Sequence, residues 1–332
     1  MYNTLKQITL VHGVSGKEHR VANTIKEMIE PFCDEAHIDA MGNLIALKRG
    51  TAANPKKVLL CGHMDEIGFI VNFVEDNGFI RVAPIGGINW IACAFGEVVS
   101  EHGVHGVLVP NSGTKASEFA PDLFYIDIGA DNKKSAERKV KIGDTFVLKS
   151  NLTKLNANRV IGRPLDDRAG CGIVFEIAKR IANEPVADDV YYVFSVQEEV
   201  GCRGSKTAAF AIAPDYSLTF DVTGTGDTAG SKPMAVKLGG GAAIKIKDSS
   251  VICDSEIVDK LIKIAKEKNI KNQLEILQYG GTDTSSIQMT GAGCRAGALS
   301  IPSRYIHSGV EMIDMNDYKA CIELALEFIK DC

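Results

Sequence analysis

Between about Gly68 and about Asn158 the chain breaks into short β-like runs separated by glycine turns, while helix and strand signals alternate on either side. The runs include Phe69-Ile70-Val71, Phe79-Ile80-Arg81-Val82, Val104 to Val109 and Thr145-Phe146-Val147-Leu148. Asp76-Asn77-Gly78 and Gly86-Gly87 are among the turns. Such a stretch predicts a small barrel or sandwich. Only one short helix is expected inside it, near Lys134 to Arg138. The simplest organisation is one α/β domain split in sequence, residues 1–67 and 159–332. A β-rich domain, residues 68–158, is then inserted after an early strand.

The flanks carry the pattern of an α/β fold. Val21, Ile25, Met28 and Ile29 recur at helical spacing after Ser15-Gly16. Asn43 to Leu47 reads as a short strand. Val58-Leu59-Leu60 is continuously apolar and reads as a strand buried on both faces. Beyond the insertion a helix follows Asp166-Asp167, with Cys171, Val174, Ile177 and Ile181 on one face. A strand over Tyr191 to Val196, a short helix after Gly204 and a strand over Tyr216 to Phe220 come next. A helix through Ile257, Leu261, Ile262 and Ala265 and a terminal helix from about Asn316 complete the series.

With 332 residues and 45% hydrophobic content, the chain can bury a large core. Its formal net charge is −5 and its Lys and Arg are scattered, which excludes the basic stripe of a nucleic-acid binder. A single Trp offers no stacking platform for bases. No run approaches the roughly 20 apolar residues of a membrane span, and Met1 to Leu10 is too polar for a signal peptide. Nine cysteines, an odd number without a Cys-x-x-Cys pair, predict reduced thiols packed as small hydrophobes. The expected compartment is the cytoplasm.

Ligand sites of open α/β sheets lie beyond the carboxyl ends of the strands. His63-Met64-Asp65 follows the Val58 strand, Glu198-Glu199 follows the Tyr191 strand and Asp221 follows the Tyr216 strand. Asp166-Asp167 precedes a helix, and His307 follows the segment Ala298 to Tyr305. Imidazoles and carboxylates together form a ligand set for zinc, cobalt or manganese. In His63-x-Asp65 the aspartate is placed to accept a proton from the far imidazole nitrogen and so to orient the ring. Side chains alternate along a strand, so Glu198 and Glu199 are expected to do different work, one binding metal and the other free as a general base. The bland alternative for the doublet is a solvated acidic turn, and for either histidine a structural role.

Five segments together resemble the tetrahedral (TET) metallo-aminopeptidases, also called glutamyl aminopeptidases and, in older usage, cellulase M or endoglucanase. They are Cys61 to Gly68, Pro164 to Arg168, Gln197 to Gly201, Phe220 to Thr223 and Pro302 to Ser308. The resemblance runs in order over nearly the whole chain. It implies a mixed-sheet, three-layer α/β catalytic domain with a small β-barrel inserted. It implies two divalent metal ions, zinc or cobalt, with manganese also accepted. Asp166 would bridge both ions, His63 and Asp221 would complete one site, and Glu199 and His307 the other. Glu198 would be the general base and Asp65 would support His63. Asp167 would follow Asp166 through a cis peptide. The inserted domain would mediate dimerisation, with dimers building a hollow dodecamer that acts on peptides.

Other readings of the same residues remain. Two carboxylates suffice for a glycoside hydrolase, but that chemistry uses neither His63 nor His307. A two-metal carboxypeptidase or deacylase would cleave N-acylated substrates, and a shell protein would cleave nothing. His102-Gly103-Val104-His105 lies in the insertion without an acidic cluster beside it and reads as surface. Gly239-Gly240-Gly241 lacks the Lys-Ser/Thr of a phosphate loop and predicts a close backbone approach. Tyr279 to Ser285 resembles a family loop that opens a helix near the site. Lys232 and Lys237 read as solvated lysines in a loop after Asp221.

Overall fold

The computed structural model describes residues 1–149 and 151–331. Eleven strands form one mixed sheet. At its centre Lys57–His63 lies parallel to Asp189–Ser195 on one side and Tyr216–Thr223 on the other, and Arg295–Arg304 continues parallel to the latter. Leu44–Lys48 and Glu35–Ile38 extend one flank antiparallel. Glu311–Asp314, Arg159–Gly162 and Thr153–Lys154 extend the other. Ala242–Lys247 pairs with Arg295–Arg304 and carries the edge strand Asn272–Ile276.

The apolar run at Val58 to Leu60 exists because this sheet is covered on both faces. Val58 and Leu60 join a large core under the helices Tyr2–Thr9, His19–Ile29, Arg168–Ile181, Ser255–Glu267 and Met315–Lys330. Leu59 and Cys61 point the other way, into a smaller core under Arg203–Ile212 and Thr284–Gln288. The architecture is therefore a three-layer α/β fold. Gly62 decides how closely the first layer sits. A Cβ there would lie 2.7 Å from the Cys171 nitrogen and 2.7 Å from the Gly170 carbonyl carbon, both backbone atoms. Only glycine lets the start of Arg168–Ile181 press on the end of the central strand, which brings Asp166-Asp167 beside His63.

Six strands close into a barrel in the order Gly68–Val74, Ile80–Ile85, Phe124–Asp127, His105–Pro110, Glu97–Ser100 and Thr145–Leu148. It has its own core, with Phe69, Ile80, Leu108, Phe124, Ile126 and Phe146 almost fully buried. The helix expected near Lys134 is present as Lys133–Glu137. A second one, Trp90–Cys93, was not expected, nor were the 3₁₀ turns Ala116–Glu118 and Pro121–Leu123. A helix of one turn leaves no periodicity to read. Trp90–Cys93 is held instead by the Asn89 side chain, which accepts the Ala92 N–H, and by Trp90 packing 4.7 Å from the Phe124 ring.

His12 ties the N-terminal segment to this barrel, with Nε2 3.1 Å from the Thr145 hydroxyl. Its Nδ1 is buried without a partner. Burial, reinforced by the nearby Arg168 and Arg20 and opposed by Glu101, lowers its pKa from 6.5 to about 4. The unfolded chain therefore binds this proton more readily than the folded one between those values. The associated stability is whole above pH 6.5 and is lost as pH falls through the window, about 3 kcal/mol for the full shift. His12→Gln should flatten the fall in urea midpoint between pH 7 and pH 4.5. A fall as steep as the wild type's would show that other groups govern it.

Candidate active site

His63 is the last residue of its strand, and Asp166-Asp167 sits just before the helix Arg168–Ile181. The Asp166–Asp167 peptide is cis. Asp167 fixes this junction: one carboxylate oxygen accepts the Gly170 N–H (2.8 Å) and the other the His63 N–H (3.1 Å). Asp221 lies within its strand rather than after it, because pairing with Arg295–Arg304 continues to Thr223 opposite Pro302. Glu198 and Glu199 stand in a turn beyond Asp189–Ser195, reversed by Gln197 at φ 57°. Strand alternation therefore does not separate these two side chains; the turn does. His307 occupies the loop after Arg295–Arg304 at φ 60°.

His63, Asp166, Glu198, Glu199, Asp221 and His307 meet in one cleft of about 430 Å³. Asp166 lies between the two imidazoles: Oδ1 is 3.2 Å from His63 Nε2 and Oδ2 is 3.2 Å from His307 Nε2. His307 Nε2 is also 3.2 Å from Glu199 Oε2. His63 Nε2 lies 3.8 Å from both Asp221 and Glu198. Among the described residues, His63–Asp166–Glu199 and His63–Asp167–Asp221 each converge as a metal-ligating group would. Glu101 and Asp144 also converge on His102, contrary to the sequence expectation of no acids there, but His102 is exposed.

Asp65 is fully buried and works more widely than its spacing suggested. His63 Nδ1 lies 3.1 Å from its main-chain carbonyl and 3.4 Å from its carboxylate. That carboxylate accepts the Glu198 N–H (3.0 Å), the Glu199 N–H (3.2 Å) and the Ser15 hydroxyl (2.6 Å). One side chain thus sets both the imidazole and the acidic doublet.

The electrostatics are those of crowded acids. Burial pushes the carboxyl pKa of Glu198 and Asp221 well up, and their carboxylate neighbours add to it. Burial opposes ionisation of Asp166, yet its hydrogen bonds to His307 and His63 hold it below the usual carboxylate range. Burial would lower His307, but Asp166 and Glu199 raise it to about 11. The two imidazoles stand among the carboxylates of Asp166, Glu198, Glu199 and Asp221. Glu199 Oε1 is buried with no hydrogen-bond partner. An orphaned carboxylate oxygen within a His and carboxylate donor set fits divalent metal ions.

A family model of the M42 glutamyl aminopeptidases matches residues 42–324. The chain belongs to this family. It is therefore a peptide hydrolase. It is 32% identical to the lysyl aminopeptidase of Pyrococcus furiosus, over 99% of this chain and 97% of that one. Aminopeptidase APDkam598 from the archaeon Desulfurococcus kamchatkensis shares its fold with a TM-score of 0.95 at 34% identity, covering 100% of this chain and 94% of that one. The TET1 peptidase of Pyrococcus horikoshii matches with a TM-score of 0.90 at 32% identity, over 99% of each chain. That peptidase can assemble into a tetrahedron or a large octahedral shell.

Several residues legible in sequence only as turns or loops take defined places around or away from this M42 enzyme's cleft. Gly86-Gly87 was legible only as a turn, yet the barrel presents it to the site. A Cβ on Gly87 would lie 3.3 Å from His307 Nδ1, and one on Gly86 3.3 Å from the Glu199 Cβ. Asp283 lies under the sheet, accepting the Ser205 hydroxyl (2.6 Å) and that of Ser195, in the loop that opens Thr284–Gln288. The triple glycine approaches the terminal helix rather than the cleft, with Gly239 and Gly241 N–H donating to Asp317 (2.6 and 2.7 Å). Lys232 borders a second hollow of about 520 Å³ that shares Gly224 and Leu277 with the cleft and is walled by Met234, Ile246, Leu274 and Ile276. Lys237 lies elsewhere, its backbone paired with the Gln273 side chain.

Proposed function

We propose that this chain removes N-terminal residues from unblocked peptides at a centre of two divalent metal ions, zinc or cobalt, with Glu198 as general base. The observation that carries the reading is the placement of Asp166, one oxygen 3.2 Å from each imidazole. Asp166 would serve both ions, with His63 and Asp221 on one side and Glu199 and His307 on the other. When bound, the ions lower the pKa of a water molecule and polarise the scissile carbonyl. Glu198 takes the proton from the attacking water and returns it to the leaving amine. Burial raises its pKa, the direction that strengthens a general base. Asp65 holds its backbone in place. A free substrate α-amino group would sit at the second metal ion, which an acylated N-terminus could not do, and the apolar hollow beside the cleft would accept an aliphatic side chain.

Leucyl p-nitroanilide should therefore be cleaved faster than glutamyl or lysyl p-nitroanilide, and N-acetyl-leucyl p-nitroanilide not at all. EDTA should abolish turnover, and zinc or cobalt should restore it. Turnover indifferent to EDTA would overturn the two-metal centre, and cleavage of the blocked substrate would favour a deacylase.

The barrel is proposed as the dimerisation surface, with dimers building a dodecamer in the cytoplasm. Phe73, Ile91, Phe95 and Ile142 of the barrel segment are exposed large apolar side chains, the surface that self-association would cover. Among the described residues no helix is long and apolar enough to cross a membrane, and the eight described cysteines are free.

A further inference from the structure

Asp166 and His307 reach the cleft from segments outside any strand, so the sheet alone does not set their separation. The fully buried carboxylate of Glu311 joins these segments. Its Oε2 accepts the Leu165 N–H (2.6 Å) and the Asp166 N–H (3.0 Å), and its Oε1 accepts the His307 N–H (3.1 Å). Behind it Arg163 stands 3.5 Å away and donates to the carbonyls of Ile67 (2.8 Å) and Ser308 (3.3 Å). Glu311 is itself anchored, because its strand pairs opposite Gly162. His63 is held by other means, at the end of the central strand and against Asp65.

We infer that Glu311 is a positioning residue that sets the spacing of Asp166 and His307, and through it the affinity of the metal ion those two would share with Glu199. The inference rests on the two-metal reading above. It predicts asymmetry: loss of Glu311 weakens the site that contains His307, where two ligands lose their placement, more than the site that contains His63, where only Asp166 does. A side chain that merely stabilised the fold would not choose between them.

Glu311→Gln keeps the shape but turns an amide NH₂ toward main-chain donors that need an acceptor. Zinc binding to the metal-free wild type and variant should be followed by calorimetry with chelator competition. The wild type should take up two ions. In Glu311→Gln one site should weaken about 10–100-fold, the range for residues that orient metal ligands, while the other weakens clearly less. The zinc concentration for half-maximal turnover should rise, and kcat should recover at saturating zinc. Glu311→Asp, which keeps the charge but cannot span both segments, should give the same asymmetry and serves if the glutamine variant does not fold. Two sites of wild-type affinity in the variants would overturn the inference alone, as would equal weakening of both. A wild type that binds fewer than two ions would overturn the two-metal reading and the inference with it.

Discussion

Glu198→Gln should lower kcat by a factor on the order of 10²–10⁴ while the protein keeps its metal. The amide matches the carboxylate in shape but cannot take a proton at neutral pH. Glu198 stands 3.8 Å from His63 Nε2, farther than Asp166, and accepts a weak hydrogen bond from Cys202 Sγ (3.3 Å). Its backbone is held by the Asp65 carboxylate, and the substitution leaves that bond in place. Metal content after dialysis and the denaturation midpoint should stay near wild type, and the loss should fall on kcat rather than KM. Turnover within a few fold of wild type would remove Glu198 from the mechanism. Lost turnover accompanied by lost metal would make it a ligand instead of a base.

Arg168→Met should cost about 3–5 kcal/mol of stability, the range for breaking a buried charge network from one side. Arg168 is completely buried. Its guanidinium donates to the carbonyls of Met64 (2.7 Å), Ile8 (2.5 Å) and Val11 (3.0 Å) and lies 3.6 Å from Glu66. It thus links the end of the first helix to the segment just past His63, from the first turn of the helix that follows Asp167. Methionine fills similar space but strands three carbonyls and leaves Glu66 with Arg163 alone. Arg168→Lys should recover only part of the loss, since a single ammonium cannot reproduce the planar fork. Denaturant midpoints measure the effect directly. A methionine variant as stable as wild type would show that burying the charge had cost as much as its partners returned.

Much of this architecture is local and therefore readable in the chain. The run Val58-Leu59-Leu60 marks a strand covered on both sides, and glycine turns between short apolar runs mark the barrel. Helices such as Arg168–Ile181 and Met315–Lys330 show their apolar stripes at helical spacing. The acids and histidines that meet in the cleft were noticeable because polar residues follow buried runs at strand ends. The helix Trp90–Cys93 was not, because one turn supported by aromatic contacts has no period of its own.

By itself the sequence determined which residues carry metal-ligating or acid–base groups and roughly where each element begins, since both are read from the chain and its near neighbours. Only the tertiary structure decided distances between residues far apart in it. It placed Asp166 between His63 and His307, brought Gly87 of the barrel against His307, and set Glu311 across two unrelated segments. Nothing in the sequence singles out Glu311, the first residue of the short strand Glu311–Asp314. Its role comes from burial, where an unpaired carboxylate is too costly to keep and must find the main-chain donors that Leu165, Asp166 and His307 present.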